Sequence, residues 1–206
     1  GDRWSTNVGY LMPARDRPNL TILSECEVQR VQFEGRRATS VVARRGEDVT
    51  TFEADEIILS AGAVSSPHLL MLSGVGDSGE LARHGIATVH HLPGVGQNLQ
   101  DHPDFVFGYM SDNTNFNGIS LKAMPRLLRA IRQSFSCHVC LLRPKSRGSV
   151  SLGSSDPFAP PLIDPNFLGE ADDLETMVAG FKTTRRLLET PALRALQKKD
   201  MFTEGV

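Results

Sequence analysis

Glu56-Ile57-Ile58-Leu59-Ser60-Ala61-Gly62-Ala63-Val64-Ser65-Ser66-Pro67-His68-Leu69-Leu70-Met71-Leu72-Ser73-Gly74-Val75-Gly76 changes its hydrophobic rhythm part-way along. The apolar run within residues 56–60 predicts a strand covered on both faces, as in a parallel sheet. The small residues Ser60, Ala61, Gly62 and Ala63 that follow let another backbone or a ligand come close. Ser66 then suits a helix N-cap and Pro67 the first helical position, for a helix stopping near Ser73 and Gly74. Strand, small-residue turn and helix belong to an α/β fold, in which ligands lie outside the carboxyl ends of the strands. The turn is the first candidate binding site.

Upstream, residues 19–23 form a β-branched apolar run that predicts a buried strand. Residues 28–33, 38–44 and 49–54 are separated by Gly35 and Gly46 turns and predict a β-meander. In its first segment Val31 and Phe33 share one face while Arg30 and Gln32 share the other. Downstream, Asp77 as N-cap, Glu80 as capping-box partner and Gly85 past the end predict a short helix. A strand over 86–92 and a glycine-punctuated connector over 93–103 follow, and the connector divides the chain into domains 1–103 and 104–206.

Strand pattern resumes at 105–110. Residues 121–135 predict an amphipathic helix with Arg126, Arg129 and Arg132 on its solvated face, the alternative being a membrane-surface helix. Residues 137–142 and 148–152 predict paired strands, 156–165 a proline-rich loop, 172–188 a helix and Pro191 the start of a shorter one.

Composition narrows the function classes. Among 206 residues, 22 Lys and Arg balance 24 Asp and Glu, so no global field argues for nucleic acid. No apolar run approaches the roughly 20 residues of a membrane span, and the first residues do not form a signal peptide. Three cysteines, Cys26, Cys137 and Cys140, do not make a disulfide framework, which favours a reducing compartment, the cytoplasm. The Cys137-His138-Val139-Cys140 pair lacks a second ligand pair and fits a strand better than a metal or redox site. His90 and His91, adjacent on a strand, point to opposite faces. His68, His84 and His138 stand alone and read as packing or surface residues. His102 beside Asp101 resembles a base with its carboxylate, although a structural hydrogen bond explains that pair better. Gly74-Val75-Gly76 and Gly94-Val95-Gly96 lack the strand–helix context of a dinucleotide fingerprint and are turns.

The run Gly62–Gly76, with its Gly-Ala, Ser-Pro, Leu-Leu and Ser-Gly-x-Gly elements, resembles the second signature of the glucose–methanol–choline (GMC) oxidoreductases. Residues 93–102, 143–150 and 163–168 resemble that family's domain crossover and C-terminal half, and 19–28 the strand whose next valine faces the flavin's adenine end. The resemblance implies an α/β protein: part of a Rossmann-like FAD-binding domain with a β-meander insertion, then part of an antiparallel-sheet substrate domain flanked by helices. It implies an FAD that accepts hydride at N5 from the CH–OH carbon of a choline-like or other primary alcohol, while a histidine takes the hydroxyl proton. Val28 would contact FAD through its backbone, and Ser60, Ala61 and Gly62 through their small size.

No catalytic residue and no metal ligand is assigned. The pyrophosphate-binding glycine fingerprint has no match in the chain, and none of the six histidines matches the family's C-terminal base. The passage over 118–137 is shorter than in relatives by several tens of residues. A quinone or oxygen as electron acceptor, a homo-oligomer and a location peripheral to the inner membrane stay open. So does the alternative of a non-catalytic folded remnant that binds no flavin. A nicotinamide-dependent dehydrogenase has no claim on the Gly62–Gly76 run.

Overall fold

The structure, a computed structural model, describes residues 4–111 and 134–203. They fall into two compact units, one of Gly1–Val95 with Leu152–Pro160 and one of Gly96–Ser151 with Pro161–Val206.

The first unit opens with a π-helical turn, Asn7–Leu11, running into a single helical turn α1, Met12–Ala14. Then comes the meander: β1 (Glu27–Glu34), β2 (Arg37–Arg45) and β3 (Asp48–Glu53) pair antiparallel in that order. Ser40 and Val42 are buried on one face of β2 and Ala43 on the other, where Val31 of β1 is buried too, so both faces of the sheet are partly covered; the Ser40 hydroxyl donates to Gln32. Helix α2 (Gly62–Leu72) packs on β1, and Ser73 at its end accepts the Val31 N–H at 2.8 Å. Strands β4 (Val75–Gly76) and β5 (His90–His91) form a parallel pair around α3 (Ser78–Arg83). Leu81 of α3 is 0% exposed and seals this corner with Met71 and Val75. Asp77 caps α3 as expected, accepting the Glu80 N–H at 3.0 Å. Glu80 does not complete the capping box; it pairs with Arg83 and accepts the Leu152 N–H at 3.3 Å. The excursion 152–160 is thereby tied into this unit, helped by Arg44 lying 3.6 Å over the Phe158 ring.

In the second unit, β7 (Asp104–Met110) is flanked by β8 (Ser134–Cys140) and β11 (Lys199–Asp200), all antiparallel. Its inward residues Phe105, Phe107 and Tyr109 meet Phe135 on β8 and Phe181 on helix α4 (Ala171–Leu188). Phe107, 0% exposed, sits 4.8 Å from Phe181 and 5.1 Å from Phe105. Ring contacts of this kind contribute about 0.5–1.5 kcal/mol each beyond burial. A short helix α5, Pro191–Arg194, follows α4. A second sheet orders β10 (Leu162–Asp164), β9 (Gly148–Ser151) and β6 (Gln97–Leu99).

Several expectations need correction. Residues 19–23 and 56–60 form no strand: Asn19 lies in a turn closed by the Leu20 N–H to the Arg17 carbonyl, and Ile58 is 77% exposed. A strand exists only through hydrogen bonds to a neighbour, and none of the described residues supplies one. Helix α2 starts at Gly62, so Ser66 is no N-cap and Pro67 lies inside the helix, where its fixed φ fits and only one backbone bond is lost. The 86–92 strand shrinks to His90–His91, because β4 offers only two residues to pair. Strands β8 and β9 do not pair with each other: β8 joins β7, and β9 joins β6 and β10. The connector and the proline-rich loop contribute β6 and β10, which flank β9. The helix expected over 121–135 lies outside the described residues except at Ser134 and Phe135, which belong to β8.

Candidate functional site

The Ser60-Ala61-Gly62 turn opens α2. Gly62 has φ +85°, a value that a side-chain-bearing residue adopts only with strain, and a Cβ built there would meet nothing within 4 Å. The glycine is needed for conformation, and the space around it stays open. The Ala61 N–H is taken by Ser66 Oγ at 3.0 Å, which fixes the turn. Ser60 and Ala61 are exposed, and Val28, at the start of β1, is 40% exposed. All four residues therefore present accessible surface within one unit. The chain presents a small, rigid, unobstructed turn at a helix N-terminus, where the helix dipole favours an anionic group such as a phosphate.

The histidines divide by environment. His68 on α2 is 8% exposed with Nε2 unpartnered, and burial lowers its pKa below the usual 6.5. His90 contacts Arg36, and His91 Nδ1 accepts from Ser78, so the two rings serve different partners as alternation required. His102 meets Asp101 only through its backbone N–H, at 2.8 Å, which is the structural bond expected. His84 lies 3.5 Å from Glu80. His138, read as a packing or surface residue, is held by Asp104.

The loop over 143–147 is fastened by one carboxylate. Asp173, 2% exposed in the first turn of α4, accepts the Lys145 N–H at 2.8 Å and the Ser146 N–H and hydroxyl at 2.7 and 2.5 Å. The Lys145 N–H and the Ser146 hydroxyl hold its carboxyl below the usual carboxylate range against the opposing effect of burial. Ser146 Oγ in turn accepts the Glu170 N–H. An open groove of about 480 Å³ lies beside this loop, with His102, Arg143, Lys145 and Arg147 on its wall. Lys145 pairs with Asp172, and Arg147 donates to the Pro144 and Ser146 carbonyls, so two of its cations are already engaged.

The GMC oxidoreductase family models match residues 1–104 and residues 144–205. The chain belongs to the GMC oxidoreductase family. An alcohol dehydrogenase [acceptor] of Pseudomonas putida is 35% identical over 255 aligned positions, covering 98% of this chain and 46% of that protein. An oxygen-dependent choline dehydrogenase of Staphylococcus aureus is 30% identical, covering 94% and 43%. The chain therefore spans a little under half the length of these relatives. Among solved structures, pyridoxine 4-oxidase from Mesorbium loti matches with a TM-score of 0.83 at 24% identity, over 99% of this chain and 46% of that one. Formate oxidase from Aspergillus oryzae matches with a TM-score of 0.80 at 24% identity, over 91% and 47%. These two likenesses show the GMC fold: mixed α/β with antiparallel sheets. No helix among the described residues is long and apolar enough to cross a membrane.

Two polar sites escaped the sequence reading. Asp173 was one charge among several at a helix start, and its burial depends on the 143–147 loop folding over it. The period-2 rule puts Ser136 and His138 on one strand face, but Asp104 joins them only through the β7–β8 register.

Proposed function

We propose that the protein carrying this chain is an FAD-dependent oxidoreductase that oxidises the CH–OH group of a primary alcohol, choline among the candidates. The observation that carries the reading is the open turn at Gly62 inside a family signature. When bound, FAD supplies the hydride acceptor. Val28 would contact it through backbone, Ser60 and Ala61 through small size, and Gly62 by holding the αL turn that keeps the space clear. No histidine of this chain is assigned as the catalytic base. Residues 1–103 would be part of the FAD-binding domain and 104–206 part of the substrate domain. The 255-position alignment exceeds the 206 residues of the chain, which supports a shortening relative to that alcohol dehydrogenase, and we place it over 118–137. The three cysteines are free, which supports the cytoplasm as its compartment. A quinone or oxygen would reoxidise the flavin.

The test is anaerobic mixing of the purified protein with primary alcohols while the visible absorbance of oxidised flavin is followed. Co-purifying flavin that bleaches on mixing is the expected result. A preparation that retains no added FAD would favour the flavin-free remnant instead.

A further inference from the structure

The loop over 143–147 is held rigid from outside itself. Asp173 takes the Lys145 N–H and both donors of Ser146, and the Arg147 carbonyl accepts from Asn166 Nδ2 at 3.0 Å. Ser146 is thereby turned inward and buried, while Arg143, Lys145 and Arg147 stay exposed and line the open groove of about 480 Å³. That volume suits a small molecule. The lining residues fall within 100–102 and 142–147, all in the second unit. The three cations are not equivalent. Lys145 is neutralised by Asp172. Arg147 lies along its own loop, with Nη1 donating to the Pro144 and Ser146 carbonyls at 2.7 and 2.9 Å. Those two bonds set the plane of the guanidinium and leave its Nε and Nη2 donors unused. Arg143 has no hydrogen-bond or ion-pair partner among the described residues. The one carboxylate among the lining residues is Asp101, whose Oδ1 accepts the His102 N–H. Leu142, 65% exposed, and Pro144 add an apolar stretch to the wall.

We propose that this groove binds the phosphate group of a small organic phosphate monoester. Two guanidinium groups with unused donors share it, and each forks onto a pair of oxygens. The two oxygens of a carboxylate satisfy one fork, whereas the three terminal oxygens of a phosphate monoester serve both. Charge agrees with the count of oxygens. Arg143 and Arg147 against Asp101 leave a positive surplus, and a phosphate monoester carries about −1.5 to −2 at pH 7. Leu142 beside these cations favours an ester over inorganic phosphate, because it offers apolar surface to the ester's carbon chain. Asp173 is a positioning residue: it touches no ligand and acts by fixing the loop. The site lies within one unit and requires neither flavin nor alcohol oxidation, so it stands apart from the function proposed above.

The test is isothermal titration calorimetry of the full chain at pH 7.5 and constant ionic strength, with monobutyl phosphate, inorganic phosphate and butyrate as probes. Monobutyl phosphate should bind about threefold tighter than inorganic phosphate and about tenfold tighter than butyrate. R143Q should weaken monobutyl phosphate about tenfold, and R143K should recover only part of that loss, because an ammonium cannot form the fork. D101N keeps the acceptor for the His102 N–H and removes the charge, so it should tighten binding about threefold. L142S should erase the preference for the butyl ester. K182Q, which removes an exposed α4 lysine outside the groove, should leave affinity unchanged. Arg143 is exposed and without a partner, so R143Q should keep the circular dichroism spectrum of the unaltered chain. Unchanged affinity in R143Q, an equal loss in K182Q, or butyrate bound as tightly as the ester overturns the proposal. Flavin content and alcohol turnover have no part in the readout, so this site and the proposed function fail separately.

Discussion

Gly62 and Gly148 both sit in segments that mark the chain as a GMC oxidoreductase, yet they do opposite things. Around Gly62 there is no atom within 4 Å of a built Cβ, and the residue is required for its φ of +85°. Around Gly148 the Asp164 carbonyl and the Pro165 backbone press against the Cα, with Pro165 atoms 2.7 Å from a built Cβ. One glycine keeps a surface open and the other lets two strands close. The difference extends to their surroundings. The first region follows the run 56–60, which joins no strand, whereas the second follows the 143–147 loop that Asp173 ties down. A family motif therefore marks a constraint without saying whether it serves packing or a partner.

Substitutions can break or sharpen this contrast, with urea denaturation followed by circular dichroism as the common measurement. Phe107→Ala should cost the second unit the most, about 4 kcal/mol, because it empties the centre of the Phe105–Phe181 cluster. Gly148→Ala should cost about 3 kcal/mol, since the opposing atoms are backbone and cannot swing aside. Gly62→Ala should cost only about 1 kcal/mol, the strain of a left-handed residue with no clash. Equal losses at the two glycines would erase the distinction.

The smallest expected effect is a pH dependence. His68 is kept neutral by burial, so the unfolded chain binds its proton more readily than the folded one. Its contribution is complete above the ordinary value of 6.5 and declines as pH falls through and below it, and His68→Leu should flatten that slope. Asp173 has a lowered pKa, so the stability it confers is present above its ordinary value of 3.8 and is lost below it. Asp173→Asn should remove that acid step and leave the one above it. A single step untouched by either substitution would show that neither group governs the acid response.

Much of the local structure was legible because local rules decide it. The meander followed from alternation and its Gly35 and Gly46 turns, α3 from Asp77, and α4 from apolar spacing confirmed to within a residue at its start. The family was legible because Gly62–Gly76 combines turn, cap and packing residues at fixed spacing. What the sequence could not determine was pairing between distant segments. Periodicity says that a segment is extended, but hydrogen bonds across a sheet come from whichever strand the fold brings alongside. That is why 56–60 remained unpaired, why β8 joined β7 instead of β9, and why Asp104 meets His138 from 34 residues away. The chain's own residues set each element and its turn; only tertiary contact chose the neighbours, because the energy of a buried carboxylate or a ladder bond resides in the partner as much as in the residue.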